Sequence, residues 1–297
     1  MAIPTETVYG LAANGLNTEA VARIFSMKQR PSFDPLILHF YGPEQLPEYV
    51  ESVPELASRL LNAFAPGPLT LILDKRSIIP DIVTAGMESV AIRFPGHPLT
   101  RELLKVLPFP LAAPSANVFG QTSPTRAEHV QAQLGDQLSW ILDGGACAIG
   151  LESTIVDVRG NDPIILRQGG ITQEALEALI GQKLETKLSS SKPSAPGMLL
   201  AHYSPGVPLL LIKEGEALPE VDKKCGFLGF RNKRDDHEQL VQFILSKSGG
   251  LEEAAANLFE GLRVLAAGGV EQIFAEAVPD IGLGRAINDR LRRAAHS

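Results

Sequence analysis

The chain has 297 residues, 44% of them hydrophobic and 21% charged, a balance that fits a folded protein with a sizeable core and excludes intrinsic disorder. Its net charge is −7, and its two cysteines, Cys147 and Cys225, stand far apart outside any CxxC or CxxH context, which excludes a disulfide scaffold and a structural zinc site. No apolar run reaches the roughly 18 residues of a membrane span, and the N-terminus MAIPTETVYG has no basic-then-apolar signal pattern, so a cytoplasmic protein that works without a membrane is expected.

Asn17 is placed to cap a helix running to about Gln29, with Ala20, Val21, Ile24 and Phe25 on one face. Strands are expected over Leu36–Phe40, Leu69–Asp74, Ser89–Phe94, Leu138–Asp143, Ser153–Val158 and Ile164–Arg167, and helices over about Glu51–Phe64, Thr125–Leu134 and Thr172–Ile180. Ser, Pro and Gly then crowd the segment Thr186–Pro208 and deny it a continuous helix or central strand. It reads as an inter-domain linker whose stretch Met198–Tyr203 is less flexible in composition. Beyond it, Pro208–Lys213 and Cys225–Phe230 read as buried strands. Helical periodicity follows near 237–247 and 251–267, then a strand near Ile273 and a helix near Arg285–Ala295. Alternating strands and helices on both sides of the linker predict two α/β domains, 1–185 and 208–297, joined by 186–207.

Divided at residue 190, the first part carries 14 basic and 20 acidic residues and the remainder 13 and 14. Neither part has the basic surplus of a protein that holds nucleic acid mainly through phosphates, whereas a small anion gripped by a few local cations fits. The common nucleotide and hydrolase fingerprints are missing: there is no GxxxxGK[ST], no GxGxxG after a strand, no GxSxG and no HExxH.

Polar clusters interrupt the apolar background instead. Pro4–Gly10 (PTETVYG) is a dense polar turn. Lys28-Gln29-Arg30-Pro31 closes the first helix, and its two cations either complement the helix dipole or clamp phosphates and carboxylates. In Ser89-Val90-Ala91-Ile92-Arg93-Phe94, alternation puts Ser89, Ala91 and Arg93 on one face, so Arg93 either faces solvent or fills a polar pocket. His39, inside LILHF, is open to a structural or a ligand-facing reading. Ala113-Pro114-Ser115-Ala116-Asn117 is either a plain turn or a ligand-facing strand-to-loop junction of an open α/β sheet. Glu152-Ser153-Thr154 and Arg167-Gln168-Gly169-Gly170 occupy comparable strand ends.

Taken in order, PTETVYGL, KQRP, PLILHF, SVAIRFP, APSAN, ESTIVD and LRQGG resemble the YrdC-like domain of the threonylcarbamoyl-AMP synthases. The APGMLLAHYSPG linker and the closing IGLGRAINDRLRRAA are similar to the long, two-domain form of that family, so the resemblance covers essentially the whole chain. It implies a YrdC-like twisted open sheet with helices, and a smaller Rossmann-like α/β domain at the C-terminus. The implied reaction joins L-threonine, bicarbonate and ATP into threonylcarbamoyl-AMP and pyrophosphate, with Mg²⁺ accompanying the triphosphate and no tightly bound cofactor or resident metal. A downstream transferase would use the product to modify an adenosine of certain tRNAs. The tRNA would then not be a direct substrate, although a concave YrdC-like surface allows weak RNA binding.

Carried over residue by residue, the resemblance makes Lys28 and Arg30 the catalytic pair. It puts Arg30, Asp34, Ser89, Ser115, Asn117, Ser123, Arg167 and Tyr203 on ATP, and Thr7, His39, Arg93, Ala113 (through its backbone) and Ser153 on L-threonine. Tyr203 would make the linker a lid. The sequence departs from the family at Asp34, where Asn is frequent, and it begins almost at PTETVYG, so that either the start was assigned late or the edge of the sheet is built differently. Two other readings are a double-stranded RNA-binding module, which the negative first part disfavours, and a carbamoyl-transfer domain of the hydrogenase-maturation type, whose zinc-finger motifs are not found here.

Overall fold

A computed structural model describes residues 1–189, 195–199, 201–219, 223–234 and 240–296. The chain forms two units: the first comprises Met1–Phe119, Pro124–Ala148 and Glu152–Leu199, the second Gly120–Ser123, Ile149–Leu151 and the residues from Leu200 onward. Among the described residues, no helix is long and apolar enough to cross a membrane.

The first unit opens with β1 (Ala2–Ile3), β2 (Gly10–Leu11) and β3 (Ala13–Asn14). The Asn17 carboxamide then accepts the Ala20 N–H at 2.9 Å and starts α1 (Thr18–Lys28), which Gln29 ends in the left-handed conformation. There follow β4 (Ile37–His39), a 3₁₀ turn over Pro43–Glu48, α2 (Glu55–Phe64), β5 (Leu69–Asp74), α3 (Asp81–Thr84), β6 (Ser89–Arg93), α4 (Pro98–Val106) and β7 (Leu111–Ala112). The unit closes with α5 (Ala127–Leu134), a 3₁₀ turn over Gly135–Gln137, β8 (Thr154–Asp157), β9 (Ile164–Arg167), α6 (Gln173–Ile180) and β10 (Glu185–Thr186). Eight of these strands form one mixed sheet in the order β10-β9-β8-β5-β6-β4-β7-β3, while β1 and β2 pair separately.

The two faces of this sheet differ. Leu38, Leu69, Leu71, Leu73, Val90, Ile92 and Val156 point to one side and join Val21, Ile24, Leu60, Leu61 and Leu176 of the helices in the main core. Ile37, Ile72, Ala91 and Ile155 point to the other side, where Ala195 and Met198, both 0% exposed, pack on them. The 195–198 stretch of the expected linker is therefore seated on the sheet.

The second unit is a parallel sheet of β11 (Leu209–Ile212), β12 (Cys225–Gly229), β13 (Val241–Ile244) and β14 (Gln272–Glu276) in the order β11-β14-β12-β13, with α7 (Leu251–Ala267) and α8 (Leu283–Ala295). Parallel strands packed by two helices give the α/β architecture expected for it. In α8, the Asn288 amide of the closing motif brackets Val278, accepting its N–H at 3.0 Å and donating to its carbonyl at 2.8 Å.

Several elements differ from the sequence-based expectation. Leu138–Asp143 is not a strand. Only the Ala2–Ile141 bridge forms there, because its neighbour β1 offers two residues for pairing. Helical periodicity near 237–247 misled: Val241–Ile244 is β13, paired with β12, and 235–239 lie outside the described residues. The helix expected from Glu51 starts at Glu55, since Pro54 disfavours helical backbone before it. Helix α4 was not anticipated, although Pro98 suits its first turn and Thr100 and Leu104 form its buried side.

Replacing Met198 with Ala should cost about 2–3 kcal/mol of local docking energy. Amide exchange of residues 197–199 is expected to accelerate while β5 and β6 keep their protection. Unchanged exchange there would contradict the seating.

Candidate active site

Register brings the polar residues of the first unit together. His39 pairs with Arg93, Arg93 with Thr70, Thr70 with Ile155, and Ile155 with Arg167, so five neighbouring strands present these positions in one row on the face opposite the main core. A register shift between Ile155 and Val156 adjusts β8 against β9 at this point. The row lies at the carboxyl ends of β4, β6 and β9 and the amino ends of β5 and β8, and Ser153 directly precedes β8.

Arg93 is buried and paired. Its Nη2 donates to Glu6 Oε1 at 2.6 Å and to Thr7 Oγ1 at 2.8 Å, while Glu6 Oε2 accepts the Gly96 N–H at 2.8 Å. Burial works against the Glu6 charge, yet the Arg93 guanidinium holds its carboxyl below the usual range. Thr7 is fixed in turn by a 2.8 Å hydrogen bond between its hydroxyl and that of Thr5. Of the two sequence-based readings for Arg93, the polar pocket holds.

Beside it, His39 places Nδ1 3.2 Å from the Ile37 carbonyl, so Nδ1 carries the proton in this contact. Burial, reinforced by Arg93, pushes its pKa down to about 3, and the ring is neutral at pH 7. Ala113 lies on the neighbouring strand side, its N–H donating to Ile37 O at 3.0 Å.

Arg167 donates from Nε to Ser153 O at 3.0 Å, from Nη2 to Ser153 Oγ at 2.9 Å and from Nη1 to Pro196 O at 3.3 Å. Ser153 Oγ also shares a 2.7 Å bond with Thr70 Oγ1. The LRQGG turn is pressed onto this strand end. Gly170 N–H donates to Glu152 O at 3.0 Å, and a Cβ on Gly169 would overlap the backbone of Glu152 and Ser153.

A second group surrounds the end of α1. Lys28 is 1% exposed, and its Nζ donates to the carbonyls of Ser115 and Asn117, each at 2.5 Å. Burial, with Arg30 as a like charge nearby, depresses its pKa well below the usual lysine range. Phe119 N–H donates to Lys28 O at 2.8 Å, and on the other flank Ala116 N–H donates to Tyr9 O at 2.8 Å, so the APSAN loop is tied to both α1 and the PTETVYG turn. Arg30 pairs with Asp34 Oδ2 at 2.9 Å and also donates to the carbonyls of Asp34 at 3.1 Å and Pro35 at 2.9 Å, with Phe119 under its guanidinium at 5.9 Å. Burial raises the Asp34 pKa, against the pull of Arg30. The acid that stands where Asn is frequent in the resembled family is thus Arg30's partner.

Not every expected position joins these groups. Ser89 shares the face of Arg93 but stands at the other end of β6, opposite Asp74. Ser123 and Tyr203 belong to the second unit. There the Tyr203 ring, 1% exposed, stacks on Phe259 at 5.4 Å with Arg290 over it at 5.5 Å. Glu6 and Thr70 were missed by sequence reasoning. Glu6 sat inside the polar turn already singled out, and Thr70 is the polar member of an alternating strand.

With this geometry in hand, comparison with known proteins is consistent along the chain. Residues 1–169 match the family model described as telomere recombination, and residues 171–296 the model of the threonylcarbamoyl-AMP synthase C-terminal domain. The threonylcarbamoyl-AMP synthase of Bacillus subtilis (strain 168) is 41% identical over 307 residues, covering 99% of this chain and 89% of its own. That of Schizosaccharomyces pombe is 35% identical, covering 99% and 84%. A crystal structure of Pyrococcus abyssi Sua5 complexed with L-threonine matches with a TM-score of 0.90 at 38% identity, covering 99% of this chain and 90% of that one. Two domain models matched in tandem, and relatives alike over nearly the full length of both chains, mean that the chain belongs to the threonylcarbamoyl-AMP synthase family.

Proposed function

We propose that this chain makes threonylcarbamoyl-AMP from L-threonine, bicarbonate and the magnesium complex of ATP, releasing pyrophosphate. The amine of threonine and bicarbonate combine to a carbamate with loss of water. A carbamate oxygen then attacks the α-phosphorus of ATP, the bond to the oxygen bridging the α- and β-phosphorus breaks, and pyrophosphate leaves. Such a step needs alignment and fixed positive charge more than a covalent nucleophile. Supporting this reading is the convergence of buried cations and small hydroxyl side chains on one strand-end row and on the adjoining Lys28–APSAN group.

In this proposal Arg93 takes the threonine carboxylate, and Thr7, Ser153 and the Ala113 backbone line the same pocket. His39, neutral, offers Nε2 as an acceptor without repelling the ammonium. Lys28 and Arg30 set the positive field for the phosphates. Ser115, Asn117, Asp34 and Arg167 contact the nucleotide; Ser123 and Tyr203, which the resemblance also puts on ATP, belong to the second unit. Ser89 lies apart from the strand-end row, beyond Ala91 and the Ala195 and Met198 side chains packed on it. Among the described residues, no three His, Cys, Asp or Glu side chains gather as a metal site, and Mg²⁺ belongs to the ATP substrate. The product would be handed to a transferase acting on tRNA in the cytoplasm.

The deciding assay is pyrophosphate release with each substrate omitted in turn. Release is expected only when ATP, L-threonine and bicarbonate are all present, and release that persists without threonine would sink the proposal. Arg93→Lys keeps the charge but loses the fork, so KM for L-threonine should rise roughly tenfold or more, with a much smaller change in KM for ATP. An equal rise in both would argue against the carboxylate role. Because His39 binds its proton far more weakly folded than unfolded, the unfolded chain holds more protons between about pH 3 and 6.5, and stability falls as pH drops through that window. Between pH 7 and 5 the His39→Gln variant should therefore lose about 2 kcal/mol less stability than the parent, measured by urea unfolding.

A further inference from the structure

The chain joins the second unit twice before residue 200, through Gly120–Ser123 and Ile149–Leu151. Helix α7 contacts both segments. Gly150, at φ +73°, lies so close to α7 that a Cβ there would meet the Ala256 Cα at 2.5 Å and the Ala255 carbonyl at 2.6 Å. Arg263 of α7 donates from Nη2 to the carbonyl of Thr122. The same short segment is zipped to the residue after Tyr203: Ser204 N–H donates to Gly120 O at 2.7 Å and Thr122 N–H to Ser204 O at 3.1 Å.

An arginine is a costly way to fill space at a helix surface, because partial burial strips water from a charge. Burial here lowers its pKa to about 10. Aliphatic packing alone would be served by leucine. What the guanidinium adds is a charge-assisted bond to one backbone carbonyl, which fixes the direction of the chain on either side of it. Thr122 is followed at once by Ser123, and Leu151 is followed by Glu152 and Ser153.

We infer that α7 is the positioning element for the segment 120–123, with Arg263 a positioning residue that sets Thr122 and, through the chain, Ser123, an expected nucleotide contact. This rests on the synthase reading for what the segment contacts. Arg263 itself touches no reacting atom.

The test compares Arg263→Gln and Arg263→Lys with the parent chain for ATP affinity by calorimetry, thermal stability, and threonine-dependent pyrophosphate release. R263Q is expected to raise the Kd for ATP about tenfold with little change in Tm, and R263K to recover much of that loss. An unchanged Kd, or a Tm drop with Kd intact, would overturn the inference and leave Arg263 a structural residue. Should R263Q fail to fold, R263K decides alone: a rise of about threefold supports positioning, and parental affinity refutes it. If the parent chain binds ATP but releases no pyrophosphate with threonine, the synthase reading fails while the affinity comparison still judges this one. A parent chain that does not bind ATP overturns both.

Discussion

A cation withdrawn from water persists only where acceptors surround it, and the candidate site of the first unit is arranged around four that meet this condition. Arg93 has Glu6 and Thr7, Arg167 has Ser153 and Pro196, Arg30 has Asp34 and Pro35, and Lys28 has two carbonyls of the APSAN loop. In each case the acceptors lie on a different segment from the cation or across a turn from it. The bonds that keep the charges tolerable are therefore the ones that hold the loops in place. Positive potential at the site and rigidity of the site have the same source, so neither can be tuned alone. Removing one acceptor would leave a buried charge unmatched and release a loop together.

The sheet supplies the frame for this. Its helix-covered face carries leucine, isoleucine and valine on alternate positions, and the opposite face carries the polar row among small and β-branched neighbours. Because side chains alternate strictly, the same strands that build the core also deliver His39, Thr70 and Arg93 to one surface. The seating of Ala195 and Met198 covers the apolar part of that surface and leaves the polar row at its edge.

Much of this was legible in the sequence. SVAIRF alternates cleanly, and the structure puts Val90, Ile92 and Phe94 in the core as alternation requires. Asn17 caps its helix as expected, whereas the helix that Pro98 begins was not read from the sequence. What local pattern could not carry was pairing between distant segments. Nothing near Arg93 reveals that its carboxylate partner is 87 positions earlier, and nothing near Lys28 reveals that its acceptors are main-chain carbonyls 87 and 89 positions later. The misreading of Val241–Ile244 has a similar cause: four residues of V-Q-F-I suit a helix or a strand, and their pairing with β12 decides. The Ser/Pro/Gly-rich segment was read as a linker by composition, and Met198, in the stretch marked as less flexible, is indeed buried on the sheet.

The distribution of Gly120–Ser123 and Ile149–Leu151 has a consequence for how the chain can be divided. A single cut after Leu199 would separate the second unit from two of its own segments, Gly120–Ser123 and Ile149–Leu151. The second unit is in this sense interleaved with the first along the sequence and not appended to it. Exchange of the half from Leu200 onward would have to preserve seven earlier residues that belong to the second unit.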